Sequence, residues 1–376
     1  MRHKNSIKTA VFSALALAGG LGLIPARADN IDYGKIGTPV HLVVGYQPYY
    51  SQAWSGLVIN GLGLWKKYLP PGSTVDFQAG LQGAIIVNAM LAGKESIGYL
   101  GDTPAIVGAS KTNVAELQIV ANIGLSQDQC NVLFVNNDAP KFTTPKDAVA
   151  WLQGKTVATP KGSCSDRFAR ALFEKTDVTP GSYLNQSLEV ITSGFRANKI
   201  DAAVIWEPIG SELVQEGLAR RVATGTDFGE TDGAFIDMRA DLIQQRPDIA
   251  KAWLEAELDA EQYLADPKNA VTVAKLAQQQ TMGISEKALW QALYGTYTAD
   301  EGGSPIRKTF PFGFTPTSLA LVKADTAFLY SIKTISVQQL PAEAVYPDLA
   351  AQILKERGLT SPVGKIAAQP ETAFQP

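Results

Sequence analysis

Between Val40 and Met238 short β-branched runs alternate with amphipathic stretches, a pattern that signals βαβ units and parallel sheet. The strand candidates are Val40–Gly45, Val75–Gln78, Ser96–Leu100, Leu117–Ile123, Asn131–Val135, Thr156–Thr159, Ser182–Gln186, Ala202–Trp206, Arg221–Thr224 and Ala234–Met238. Helical stretches lie between them, at Ala84–Ala92, Pro145–Leu152, Arg167–Glu174 and Ser193–Asn198. From Pro247 the pattern turns almost wholly helical. Ile249, Trp253, Ala256, Ala260 and Leu264 recur at three-to-four spacing, and Asp266-Pro267 stops the run. Two more helical blocks are expected over Ser285–Tyr297 and Thr317–Tyr330, with a loop at Glu301–Pro305 between them. The Pro/Gln/Ala-rich tail after Ser361 is expected to be weakly ordered or to lie along the surface.

The first residues break this pattern. Arg2, His3, Lys4 and Lys8 form a cationic start, and an uncharged run from Thr9 to Ile24 follows. Ala26-Arg27-Ala28 then gives the small-x-small pattern of signal peptidase cleavage before Asp29. A membrane anchor is the alternative, but Gly19, Gly20 and Gly22 interrupt a core already short of the roughly 20 apolar residues that a span needs. The expectation is therefore an exported chain, cleaved after Ala28, free in the periplasm and not inserted in the membrane. Cleavage removes four basic residues and no acid, so the net charge moves from 33 − 36 = −3 to 29 − 36 = −7. An acidic mature protein argues against nucleic acid or an anionic membrane surface as partner.

Residue counts narrow the chemistry further. The chain has two histidines, and His3 leaves with the leader. One remaining imidazole, His41 in a strand-like run, makes a Ser-His-Asp triad, a Cys-His pair or a multi-histidine metal site improbable. A phosphate loop is absent, and Gly61-Leu62-Gly63 lacks the third glycine of a dinucleotide fingerprint. No catalytic residue, metal or cofactor is expected. Cys130 and Cys164 are the two thiols, and an oxidising compartment favours a disulfide between them. Two buried free cysteines, or a nucleophilic Cys164 without a partner base, are the alternatives.

In open sheets, ligands bind beyond the carboxyl ends of parallel strands, where loops enter helices. Those positions hold Gly45–Ser51, Gln78–Gly83, Gly101–Pro104, Pro160–Ser165 and Trp206–Pro208. Glycine leaves N–H groups approachable, and a helix start adds unpaired donors with partial positive charge, enough to hold an oxyanion without Lys or Arg. Ser163 and Ser165 fit such a site, and equally fit ordinary N-capping. Trp206 beside Glu207 and Pro208 can wall a cleft, or can pack between sheet and helix. Tyr46, Tyr49, Tyr50 and Trp54 are cleft or core candidates. Asp232 and Arg307 have no assignable place.

At these segments the chain resembles the nitrate/sulfonate/taurine-type periplasmic solute-binding proteins of bacterial ABC transporters. The matching stretches are Gly45-Tyr46-Gln47, Gly101–Ala105, Gly154–Ala158 running into Lys161–Ser165, and Phe195–Asn198 followed by Ile200–Pro208. Order and spacing agree over residues 38–240. The resemblance implies an α/β chain with the type II periplasmic binding protein fold. Two lobes of mainly parallel sheet flanked by helices, residues 29–127 plus 230–376 and residues 128–229, would be joined by a two-crossover hinge. It implies ligand contacts from Gln47, Gln82, Asp102, Thr103, Ser163, Ser165, Trp206 and Glu207, to which the aromatic loop itself adds Tyr46 and Tyr49 as candidates. It further implies a monomer that captures a small organic anion, including aromatic ones, for an ABC permease and its ATPase. The alternatives are a periplasmic ligand sensor, or an enzyme on the same fold such as a thiamine-pyrimidine synthase relative, which would call for a histidine- and cysteine-rich loop that this chain cannot supply. The chain departs from that pattern at Cys164, inside the Ser-rich loop, and at Tyr49 and Tyr50.

Overall fold

The computed structural model describes residues 30–376, so the leader expected over residues 1–28 lies outside the described residues. All ten expected strands form: β1 (His41–Tyr46), β2 (Thr74–Ala79), β3 (Ile97–Gly101), β4 (Leu117–Ser126), β5 (Val132–Asn136), β6 (Thr156–Thr159), β7 (Ser182–Asn185), β8 (Ala202–Ile205), β9 (Ala219–Thr224) and β10 (Asp232–Arg239). Two strands outside the expected set, β11 (Ile306–Phe310) and β12 (Gly364–Ala367), follow in the helical C-terminal part. The strand β11 was hidden by Arg307 and Lys308, two charges at positions that are fully buried. Each is held by a partner, Arg307 by Asp128 and the Ala292 carbonyl, and Lys308 by the Gln52 carbonyl. The tail is likewise more ordered than its composition indicates. β12 pairs with β11, and Phe374 packs against Trp290 with ring centroids 5.5 Å apart.

The strands sort into two sheets. Seven run in the order β12-β11-β4-β10-β3-β1-β2, and five in the order β7-β6-β8-β5-β9. The second sheet thus draws on residues 132–224 alone. Both sheets are mixed rather than mainly parallel. β1 pairs in parallel with β2 and β3, and β6 with β7 and β8, whereas β5 and β10 run antiparallel to both their neighbours. The reason is topological: β5 and β10 are the strands by which the chain enters one sheet from the other, and each returns through the middle of its sheet.

Helices fill the connections as the periodicity requires. The first five are α1 (Trp54–Leu62), α2 (Gly83–Leu91), α3 (Asp102–Ala109), α4 (Pro145–Trp151) and α5 (Cys164–Thr176). Two glycines let α2 lie close on its sheet. A Cβ on Gly45 would stand 2.5 Å from Ile86 Cγ2, and one on Gly98 2.5 Å from Met90 Sδ. That close seating fixes where the N-terminus of α2 points. In the helix Pro247–Ala265 the five residues of the expected stripe, Ile249, Trp253, Ala256, Ala260 and Leu264, are all fully buried.

Cys130 and Cys164 are joined in a disulfide, with Cα atoms 6.1 Å apart. It ties the first turn of α5 to the segment that leads into β5. Closing a loop of 34 residues is worth about 4 kcal/mol on the chain-entropy account. Replacing both cysteines by serine is therefore expected to lower unfolding stability by about 4 kcal/mol in denaturant titration; an unchanged midpoint would show that the bond does not constrain the unfolded chain.

Candidate binding site between the two sheets

The site is assembled from helix starts. β3 runs straight into α3, capped by Gly101, and β2 leads through Gly80–Gln82 into α2. On the other sheet β6 leads through Pro160–Ser163 into α5, with Ser163 as N-cap. Neither Gln82 nor Gly101 places a side chain on the free N–H groups of its helix. All three starts line one cavity of about 460 Å³: Gln82, Gly83 and Ala84 from α2, Gly101, Thr103 and Pro104 from α3, and Ser163, Cys164 and Asp166 from α5. Each helix start carries unpaired donors and about half a positive charge, so the three together form an environment that attracts an anion. Two polar atoms here are buried without a partner, Thr103 Oγ1 and Gln47 Oε1. Tyr50, Val87, Val107 and Ile332 add apolar wall, and Trp206 closes it with an edge-on ring contact to Tyr50, centroids 6.3 Å apart. The Trp206 indole N–H is spent on the Tyr49 carbonyl at 3.1 Å.

Of the ten residues singled out in the sequence, Gln47, Gln82, Thr103, Ser163 and Trp206 line the cavity. The other five lie elsewhere. Tyr46 packs edge-on against Phe77 and accepts from Asn60 Nδ2 at 3.4 Å. The Tyr49 hydroxyl accepts from the Met282 N–H at 2.9 Å. Ser165 is fully buried one layer behind the cavity, sharing hydrogen bonds with Thr159 at 3.1 Å and Ser163 at 2.8 Å. Asp102 caps its own helix through the Thr103 N–H and faces Arg167. Glu207 is turned away, its carboxylate held by Arg221 at 3.0 Å, the Ser211 N–H at 2.8 Å and the Tyr297 hydroxyl at 3.3 Å. Full burial pushes the Glu207 carboxyl above its usual range, against the pull of Arg221.

The sequence reading missed Asp166, Arg170 and Asn88 as lining residues, and it offered Lys161 only as part of its loop and Tyr50 only as a cleft-or-core candidate. Arg170 lies four residues after Asp166 and seven after Ser163, spacings that place all three on one helix face once α5 is known to start at Cys164. The Arg170 Nε donates to Asp166 Oδ1 at 2.9 Å. The Tyr183 hydroxyl donates to the same oxygen at 2.6 Å, and the Gly162 N–H to Oδ2 at 2.9 Å. Lys161 lies 4.5 Å from the centroid of the Tyr183 ring.

Two charged clusters join the halves beside and beneath the cavity. Arg167, on α5, reaches Asp102 at 3.3 Å, Glu230 at 3.4 Å and the Thr231 carbonyl at 2.7 Å, and it contacts Asp325 of the helix Pro316–Ser331. Burial opposes the Arg167 charge, but Asp325, Asp102 and Glu230 outweigh it and hold the guanidinium pKa above its ordinary value. Burial also pushes the Asp325 carboxyl well up; Arg167 pulls it down and Asp102 pushes it up again. Beneath the cavity Asp232 clasps both crossovers. It accepts from Gln52 at 3.1 Å, Ser126 at 2.8 Å and the Cys130 N–H at 3.0 Å, and burial above all moves its pKa up to about 6. Arg307 and Arg221 share Asp128, with the Tyr297 ring stacked against both guanidinium groups. Asp232 and Arg307 therefore belong to the joint between the halves.

Among the described residues no group of three or more His, Cys, Asp or Glu is placed to hold a metal ion. No described helix is long and apolar enough to cross a membrane.

A sequence model of the NMT1-like family matches residues 37–278. The taurine-binding periplasmic protein of Escherichia coli (strain K12) is 29% identical over 219 residues, 55% of this chain and 64% of that one, so the match spans less than two thirds of that relative's length. Among solved structures, the alkanesulfonate-binding protein SsuA from Xanthomonas axonopodis pv. citri, bound to MOPS, superposes with a TM-score of 0.64 at 20% identity, over 82% of this chain and 98% of that one. The desulfurization enzyme DszB superposes with a TM-score of 0.59 at 15% identity, over 84% of this chain and 99% of that one. These likenesses establish the type II periplasmic binding fold, which carriers share with at least one enzyme.

Removing Arg167 leaves Asp102 and Asp325 buried without their counter-ion. Arg167→Leu is expected to lower unfolding stability by about 3–5 kcal/mol, read by denaturant titration near neutral pH. A loss below about 1 kcal/mol, the size of an exposed ion pair, would mean that the guanidinium does not hold the halves together.

Proposed function

The chain belongs to the NMT1-like family, and from that premise we propose that it is the periplasmic solute-binding component of an ABC importer, capturing a small organic anion between two lobes. The observation that carries this reading is the convergence of three helix starts, from both sheets, on one cavity. The ligand class is a sulfonate, sulfate ester or carboxylate, since each offers oxygens to N–H and hydroxyl donors without needing a metal. Relatives that bind taurine and alkanesulfonate support that class.

The lobes are residues 29–127 plus 230–376 and residues 128–229, joined through the segments between β4 and β5 and between β9 and β10. The distribution of strands between the two sheets supports this division. Export with cleavage after Ala28, a free monomer in the periplasm, and delivery to a permease driven by its ATPase complete the proposal. Ligand binding acts by population shift: an anion touching α2, α3 and α5 at once favours the closed arrangement by its differential affinity for it.

Because an enzyme shares the fold, the cavity's own groups matter for the choice between carrier and catalyst. Cys164 is bound in the disulfide, Ser163 donates to the Pro160 carbonyl at 2.6 Å, and His41 bonds Thr74 at 2.8 Å away from the cavity. None of them forms a nucleophile–base pair there, which favours binding without reaction.

Thermal shift and calorimetry with a panel of sulfonates, sulfate esters and carboxylates test the reading. One ligand equivalent per chain is expected, with stabilisation of about 2.7 kcal/mol at a hundredfold excess over the dissociation constant. The bound compound should be recovered unchanged. Absence of binding across the panel, or conversion of the compound, would overturn the assignment.

A further inference from the structure

The cavity's charged groups are unevenly committed, and the difference bears on which anions fit. Three carboxylates at or directly behind it, Asp166, Asp102 and Glu207, are each held by several of this chain's own donors. Asp166 takes Arg170, Tyr183 and the Gly162 N–H; Asp102 takes Arg167 and the N–H groups of Thr103 and Gly233; Glu207 takes Arg221, Ser211 and Tyr297. The cations are less engaged. The hydrogen bond of Arg170 runs through Nε to Asp166, which leaves both terminal nitrogens of the fork without a partner among the described residues, on a side chain 43% exposed. Lys161 also lies over the Tyr183 ring and spends one of its three ammonium donors on the Tyr183 carbonyl at 3.0 Å. With Asp166 counted against Lys161 and Arg170, the wall facing the helix starts carries one net positive charge. The fully buried Thr103 hydroxyl, unpartnered, lines the same space.

Size gives a second constraint. A cavity of about 460 Å³ lies in the range that encloses organic ligands rather than bare inorganic ions. Val87 and Val107 sit one turn into α2 and α3, and Ile332, Pro104, Tyr50 and Trp206 continue the apolar surface. An anion seated at the helix starts therefore extends its body over hydrocarbon. A terminal ammonium on that body would lose its hydration there and find Asp166, Asp102 and Glu207 already taken.

We propose that this cavity selects a monoanion with an uncharged apolar body, against both amino-substituted anions and bare inorganic anions, and that Arg170 sets this charge requirement. The inference rests on the carrier reading above and narrows its ligand class. It separates this chain from its taurine-binding relative, whose ligand carries an ammonium group. Arg170 acts by direct contact: its free fork gives two parallel N–H donors to a sulfonate or carboxylate, a geometry that lysine does not reproduce.

A matched pair of probes isolates the charge effect. Hexanesulfonate and ω-aminohexanesulfonate have the same chain and head, and nitrate has the head charge without a body. Calorimetry on the full mature chain, unfolded and refolded to strip carried-over ligand, should find hexanesulfonate bound at least about tenfold tighter than its amino analogue and about a hundredfold tighter than nitrate. Arg170→Gln should weaken hexanesulfonate by about tenfold or more, with Arg170→Lys intermediate. Unchanged melting temperatures in both variants would confirm that the fold is intact. If hexanesulfonate binds but its amino analogue binds equally or better, or if Arg170→Gln leaves the affinity unchanged, the selection is overturned while the carrier reading stands. If neither sulfonate nor nitrate binds, the selection is overturned, and the carrier reading falls with it only if the sulfate esters and carboxylates of the wider panel also fail to bind.

Discussion

Arg167 is the contact on which the arrangement of the site depends. It sits one turn into α5, belongs to the second sheet, and ends among Asp102, Asp325 and Glu230 of the first sheet and its crossover. Asp102 is the first residue of α3, so this ion pair holds two helix starts from different sheets beside each other. Helix starts with like partial charges repel weakly, and three of them around one space are disfavoured without either a ligand or a structural tie. The buried guanidinium is that tie. It costs desolvation of its own charge and is offset by carboxylates in close contact, so removing either side is more damaging than never having had the pair.

The joint beneath the cavity follows the same logic with different groups. Asp232, at the end of the second crossover, collects donors from the first crossover and from Gln52, while Asp128, Arg221, Arg307 and Glu207 interlock around the Tyr297 ring. Buried ion pairs thus gather where the halves meet. The disulfide adds a covalent restraint at the same level, fixing the Ser163–Cys164 turn to the first crossover. A ligand entering the cavity accordingly meets donors whose positions are set by the joint before it arrives, which lowers the ordering cost of binding.

Much of this was legible in the chain, and what was not has definite causes. Strands declared themselves by β-branched alternation because both sheets are covered by helices, so their burial patterns are strong: every residue of β3, β5, β8 and β10 is buried. β11 escaped because Arg307 and Lys308 read as surface charge, and only their tertiary partners explain their burial. Gln82, Thr103 and Ser163 were found because helix starts announce themselves through Gly, Ser and Thr. Glu207 was misplaced for the opposite reason. Its neighbour Trp206 does face the cavity, but successive residues at a strand exit point to opposite sides, and the carboxylate turned to Arg221, 14 residues on. Arg170 gave no signal at all as one more charge on an amphipathic helix, since its role depends on Asp166 and Tyr183 being brought beside it.

Backbone hydrogen exchange, followed by mass spectrometry with and without a saturating organic sulfonate, tests the central idea most directly. If an anion is held by helix starts from both sheets, slowed exchange should appear together in residues 83–85, 103–106 and 164–166, and to the same extent at each sub-saturating dose. Protection confined to one sheet's helices, or located away from all three, would contradict the account.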